Sequence, residues 1–356
     1  MKRLQWIFLL LLTSGVAVAE DIEVVGSIEQ SIPASIVRLQ KNRLLSASQI
    51  TLLKVALSDN AREKIDARAN VAMEANENML GLAFSSSSKH QLGMENVPVL
   101  DQGQHGSCVV FATTAAVDAA LSKGDYVSQL CLLQLGRSIA SNAYVMSGWN
   151  GSNGGTVFNQ MNLFGLVSKA QQKEAGCGGL REYPLDGDEE PGSEMTPSEY
   201  HALSEKMDPS VIGSSVVLDV YQVFLDKINM QDVLKQVKAA LNAGDRLTVG
   251  VLLPGANRGV IGAEGRYHVP FDSWVLTPEI LDDLNSQAEV GAHELVITGY
   301  DDNAVAIDKR GEKHKGLLTL RNSWGPNIGD RGDFYMSYDY FKTLTFEALR
   351  IRRIPT

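Results

Sequence analysis

The residue with the most chemistry in it is a cysteine at the start of a helix. In Gly106-Ser107-Cys108-Val109-Val110-Phe111 the Gly-Ser pair frees the backbone ahead of a run rich in Ala and Val. Cys108 therefore falls in the first helical turn, where the positive end of the helix dipole favours thiolate over thiol. A nucleophile of this kind needs a base to exchange its proton and a third group to orient that base. Downstream the chain supplies His293 beside a β-prone run and Asn322 in Arg321-Asn322-Ser323-Trp324-Gly325. The chemistry open to such a set is covalent acyl transfer. His293-Glu294 begins like a zinc-binding helix motif, but Ile297 stands where the second histidine belongs, so no metal is expected.

Gln102 with Cys108 after it, Asn153-Gly154-Gly155, Tyr183-Pro184, Ala292-His293 running into Gly299-Tyr300, and Asn322-Ser323-Trp324-Gly325 resemble, in that order, the motifs of the papain-like cysteine peptidases, which include the cathepsins. The resemblance covers residues 97–334 and implies a secreted cysteine peptidase, of bacterial type, made as a zymogen, acting through a thioester acyl-enzyme without a cofactor. It makes Cys108 the attacking group, His293 the proton carrier, Asn322 the group that orients the imidazole, and Trp324 their shield from water. It makes the Gln102 side-chain amide and the Cys108 backbone N–H the donors to the oxyanion, and one such donor is worth about 3 to 4 kcal/mol in the transition state. Gly154 and Gly155 resemble the stretch whose backbone pairs with an extended substrate. Ala292, Thr156 and Val157 are implied to line the pocket for the second side chain upstream of the cut, and so small and uncharged a lining predicts an apolar side chain there.

Two departures from the family pattern leave every catalytic group in place. Val109 stands where an aromatic residue usually follows the nucleophile, and His105 where a disulfide cysteine is common. The separation of Cys108 from His293 also exceeds the family's usual span of about 130 to 150 residues, and residues 186–213 and 254–291 read as insertions. The same triad would serve an acyl transferase or a deamidase, and a binding protein keeping the fold without turnover is a further alternative. The partners implied are protein or peptide substrates and the chain's own prosegment as an intramolecular inhibitor.

These residues have to be brought together by elements of mixed type. Residues 22–25 and 32–39 read as a hairpin. Ser46-Ala47-Ser48-Gln49 has capping-box form and predicts a helix through Ile50, Leu53, Val55 and Leu57. Residues 61–80 read as a helix with too few large apolar residues to join the core, and 85–90 as an exposed linker. Helices are expected over 108–121, 128–140 and 157–172, a loop over 186–197, strands over 216–224, 247–253, 294–298 and 317–321, and an amphipathic helix over 232–242. Helices first and strands later predict an α+β class. The resemblance narrows this to a papain-like two-lobed fold, a helical lobe beside an antiparallel sheet or barrel lobe, preceded by a hairpin-and-helix prosegment. Residues 20–90 are expected to be that prosegment and 91–356 the catalytic domain.

The whole chain has 356 residues, 32 Lys+Arg against 42 Asp+Glu and a net charge of −10, which argues against a nucleic-acid or anionic-lipid partner. Lys2 and Arg3, the apolar run 6–12 and Ala17-Val18-Ala19 read as a signal peptide over 1–19. No later segment reads as a membrane span, so the product is expected to be secreted or periplasmic. Export permits a disulfide between Cys131 and Cys177, and two unpaired thiols are the alternative. Asp330-Arg331-Gly332-Asp333 contains an adhesion-type tripeptide, but a turn after Trp324-Gly325 accounts for it. Asn150-Gly151-Ser152 is a glycosylation sequon only in a source cell that glycosylates.

Overall fold

The computed structural model describes residues 21–32, 48–80, 88–143, 146–255, 263–287 and 289–354. The expected signal peptide, all but the first residue of the second hairpin strand, and the first half of the expected linker lie outside these residues.

The chain is α+β. A hairpin of β1 (Ile22–Ile32) and β2 (Ser48–Leu57) is followed by α1 (Asp59–Leu80) and the short β3 (Lys89–Gln91). A helical half comes next: α2 (Cys108–Leu121), α3 (Gln129–Ala143), α4 (Gly154–Phe164), α5 (Lys169–Ala175) and α6 (Pro197–Leu203). The rest is mainly strand: β4 (Ile212–Leu218), α7 (Met230–Asn242), β5 (Arg246–Leu253), β6 (Ala263–Arg266), β7 (Ser273–Trp274), α8 (Pro278–Ser286), β8 (Glu289–Asp308), β9 (Lys313–Arg321), β10 (Asp333–Ser337), α9 (Tyr338–Leu344) and β11 (Thr345–Arg353).

Among the described residues the strands form one sheet. Part of it closes on itself, because β8 pairs with β6 at one side and β9 at the other while β7 and β10 complete the ring. All these pairings are antiparallel except β7 with β10. Closure removes the edges that an open sheet would expose. The long β8 also pairs with β5, and beyond β5 lie β11 and β4. The core lies between this sheet and the helical half, where α2 is buried along nearly its whole length.

Several expectations are corrected. Residues 48–57 form β2, not a helix: the capping-box residues compete with pairing to β1 on one side and to Val290, Gly291 and Ala292 of β8 on the other. Long-range pairing outweighs the local signal, and residues on both faces of β2, Ile50 to Leu53 and Val55, are buried. The helix expected over 157–172 is two, α4 and α5, divided at Gly165, whose φ of +89° favours glycine. Ser168 then opens α5 with a capping box to Gln171. The strand expected over 216–224 ends at Leu218. Finally, α1 does join the core, through Ala61, Ile65, Ala69 and Ala72. Three of the four are alanines, so the helix seats closely against α8, β9 and α9 without large side chains.

Cys131 and Cys177 are joined in a disulfide with Cα atoms 5.0 Å apart, and Cys108 is free. The bridge ties α3 to the turn after α5. Lys89, His90 and Gln91 pair with Asp301, Tyr300 and Gly299 of β8, so the boundary expected at residue 90 falls inside a strand of the sheet.

Candidate active site

Cys108 is the first residue of α2 and has no exposed surface. His293 sits on β8, and Asn322 on the segment that leaves β9, so the helix and the closed part of the sheet supply one group and two respectively.

The amide of Asn322 settles the state of the imidazole. Its Oδ1 accepts the Ser323 N–H at 2.7 Å, which identifies that atom as oxygen, and the same Oδ1 lies 2.8 Å from His293 Nε2. An amide oxygen cannot donate, so Nε2 carries the proton and Nδ1 of the neutral ring is left as the acceptor. That Nδ1 is buried and has no hydrogen-bond partner. Trp324 stacks on the ring, with centroids 4.6 Å apart and planes 27° apart.

The thiol and the imidazole are not hydrogen-bonded to each other in this state. Cys108 is instead approached by the backbone N–H groups of Glu294, Val109 and its own residue. Burial pushes the thiol up to about 12, against the pull of those N–H groups, and the Glu294 carboxyl adds to the rise. Burial likewise pushes His293 down to about 4, against the bond to Asn322. Desolvation thus outweighs the helix dipole that the sequence points to. Both groups are neutral here, whereas an active pair would be thiolate and imidazolium.

Gln102 is fully buried and tied on every side. Its N–H reaches Ser323 O at 2.8 Å, its Oε1 accepts Ser323 Oγ–H at 2.7 Å, and its Nε2 donates to His105 O at 2.8 Å. The same Nε2 also points at Thr51 O of β2, 3.4 Å away. Thr51 Oγ–H donates to Gln104 O at 2.7 Å, so β2 is bonded to the Gln102 loop twice. Gly103 makes that loop possible: its φ is +56°, and a Cβ there would fall 2.0 Å from Leu185 O.

Tyr183 explains its own place in the sequence pattern. Its hydroxyl donates to Gln102 O at 2.9 Å and lies 2.9 Å from Ser107 Oγ, joining the Gln102 loop to the start of α2. Trp149, which no sequence signal marked, stacks on Tyr183 at 5.7 Å, and His105 packs edge-on against both rings. His105 therefore fills this aromatic corner, where the family pattern would have a disulfide cysteine.

The remaining expected residues fall in different surroundings. Ala292 and Thr156 line a cavity of about 590 Å³ beside His293, whereas Val157 is fully buried behind it. Gly154 and Gly155 open α4, where Asn153 caps the helix by accepting Thr156 N–H at 2.8 Å. The Gly154 N–H is already donated to Glu347 Oε1 at 2.8 Å. Two carboxyls, Glu294 and Glu347, also line the cavity. Sequence reasoning missed both as site residues: Glu294 was noticed only as part of a failed zinc motif, and Glu347 lies far from every motif. Among the described residues no group of His, Cys, Asp and Glu could hold a metal ion, and no helix is long and apolar enough to cross a membrane.

No protein-family profile matches the chain, and no curated protein matches it. Among solved structures it is similar to xylellain, a cysteine protease from Xylella fastidiosa, at 17% identity over 76% of this chain and 88% of that one, with a TM-score of 0.46. It is similar to the Amb a 11 cysteine protease, a major ragweed pollen allergen, in its proform, at 18% identity over 82% and 76%, TM-score 0.43. The bromelain protease from Ananas comosus is similar at 16% identity over 74% and 95%, TM-score 0.43. Likeness at this level concerns fold alone, and the chemistry has to be read from this chain's own side chains.

Proposed function

We propose that this chain is the latent precursor of an exported cysteine peptidase. The observation that carries the reading is the oriented imidazole: His293 Nε2–H is committed to Asn322 Oδ1 under Trp324, which leaves Nδ1 as a bare base in a buried site flanked by the cysteine that opens α2. In the reaction Cys108 Sγ attacks the substrate carbonyl and Nδ1 takes the thiol proton. The Gln102 amide and the Cys108 N–H receive the oxyanion, Nδ1 returns the proton to the leaving amine, and water then hydrolyses the thioester.

Residues 20–90 are read as the inhibitory prosegment and 1–19 as the export signal. The inhibition has a physical basis in β2. That strand lies along β8 up to Ala292, next to His293, and sets the Thr51 carbonyl where Gln102 Nε2 would meet an oxyanion. With the hairpin docked the pair is buried, which favours the neutral thiol and the neutral imidazole.

The test is to incubate full-length wild-type and Cys108→Ala protein between about pH 4 and pH 7 with a peptide library, then identify cut peptides and new N-termini by mass spectrometry. Cleavage by wild type alone, with loss of the hairpin, is expected. Equal cleavage by the two proteins, or none from a wild type that has lost its hairpin, would sink the proposal.

A further inference from the structure

The cavity beside His293 has an acidic floor. Glu294 on β8 and Glu347 on β11, two strands separated by β5, reach its wall and are almost fully buried. A Cβ on Gly154 would lie 3.4 Å from the Oε1 atom of each, so the two carboxyls converge on one spot under the start of α4. Glu347 has a partner in the Gly154 N–H, whereas Glu294 Oε1 is buried without a well-formed hydrogen bond, the Thr248 hydroxyl being the nearby donor. Among the described residues no lysine, arginine or histidine pairs with either. The charges that bear on them are each other's and that of Asp219, half-buried near the rim. The hairpin brings no cation either: it faces the cavity with Leu53, Val55, Ile22, Val24 and a further acid, Glu23.

Two buried carboxyls without a counter-charge are costly to keep and are repaid when a cation joins them. The lining also suits the stem of such a group, since Phe346, Val220 and Val109 are apolar.

We propose that this cavity is a specificity pocket for a cationic substrate side chain, arginine or lysine, with Glu294 and Glu347 as the residues that select it. This rests on the peptidase reading above and reverses the expectation of an apolar pocket. Ala292 and Thr156 are part of the lining, but Glu294, two residues beyond Ala292, and the remote Glu347 set its charge. A guanidinium or ammonium group entering the cavity would satisfy Glu294 Oε1 and let both carboxyls ionise. Charge-assisted bonds of that kind are the strong ones.

The test uses full-length protein that has processed itself and a positional library of fluorogenic peptides varied at each site upstream of the cut. Arginine or lysine should dominate one position, with kcat/KM at least about tenfold above leucine. That ratio should fall about tenfold or more in Glu294→Gln and in Glu347→Gln, which keep the side-chain shape. A wild type that prefers leucine, or a ratio that neither variant moves, would overturn the pocket and leave the carboxyls as a structural pair.

Binding of N-acetyl-arginine amide against N-acetyl-leucine amide to full-length Cys108→Ala, by calorimetry, reads the pocket without turnover. Tighter arginine binding by Cys108→Ala, alongside a wild type that cleaves nothing, would sink the peptidase reading alone. Equal binding by the two amides, together with no arginine preference in turnover, would sink the pocket alone.

Discussion

Ser323 Oγ–H donates to Gln102 Oε1 at 2.7 Å, and this bond decides which way the glutamine amide faces. With Oε1 occupied, Nε2 is turned to the His105 and Thr51 carbonyls. The residue next to Asn322 therefore aims the donor that would meet the oxyanion. In the proposed reaction one short segment would serve both sides of the reacting carbonyl.

Removing Gln102 as a donor should be costly, and removing Ser323 less so. In the processed enzyme, Gln102→Ala should lower kcat about 100-fold or more, and Ser323→Ala about 3- to 10-fold, with KM changed little in either. If Ser323 acts only through Gln102, adding Ser323→Ala to Gln102→Ala should cost nothing further. Additive losses in that double-mutant cycle would show that Ser323 has a separate role.

The buried thiol predicts a latent reactivity. With Cys108 pushed up to about 12, the thiolate fraction near pH 7.5 is on the order of 10⁻⁴ to 10⁻⁵. Iodoacetamide should therefore label native full-length protein slowly and the processed form at least about tenfold faster. Time-resolved labelling with peptide mapping checks this; equal rates would mean that the hairpin does not shield the thiol.

Loosening β2 should release activity without cleavage. Leu53 is buried opposite Ala292 and lies against Gly106 and Gly151. Leu53→Asp should raise the activity of unprocessed chain about tenfold or more, because a buried carboxylate there disfavours the docked hairpin. Val25→Asp, on an exposed position of β1, should not. The assay is turnover in the first minutes, with gel analysis showing that the chain is still intact.

Glu347 should leave a signature in the pH dependence of stability. Burial raises its carboxyl from 4.5 to about 7, against the N–H groups of Gly154 and Gly155. Below about pH 4.5 it is protonated in both folded and unfolded chains and has no differential effect. Between about 4.5 and 7 the folded chain keeps the proton that the unfolded chain gives up, so stability falls as pH rises and levels off above 7. In the Cys108→Ala background, Glu347→Gln should therefore gain a few degrees in Tm relative to its parent across that interval. Parallel melting curves at all pH values would show that the carboxyl is ionised in the folded state.

The sequence was most informative where one element carries the whole signal. The helix expected at 108–121 is α2 with the same ends, because its Gly-Ser entry and unbroken apolar run are local. The bond between His293 and Asn322 joins residues that a shared pattern had already singled out. What was illegible depends on distant pairing. β2 looked helical because Ser46 to Gln49 carry a capping signal, and nothing within that stretch shows that β1 and β8 lie on either side. The acidic floor was hidden for the same reason: Glu294 and Glu347 meet only after β8, β5 and β11 are laid side by side.

The burial of Cys108 bears on more than latency. The chain holds a single free thiol together with the Cys131–Cys177 disulfide. A reactive thiolate in such a molecule would attack disulfides by exchange, in its own fold or in a neighbour's, and oxidants would take it toward sulfenic acid and irreversible products. Enclosed beside β8 and kept protonated, Cys108 can do neither. If the chain is exported as proposed, the docked hairpin would carry Cys108 through an oxidising compartment chemically inert, and the moment the thiol became useful would also be the moment it became vulnerable.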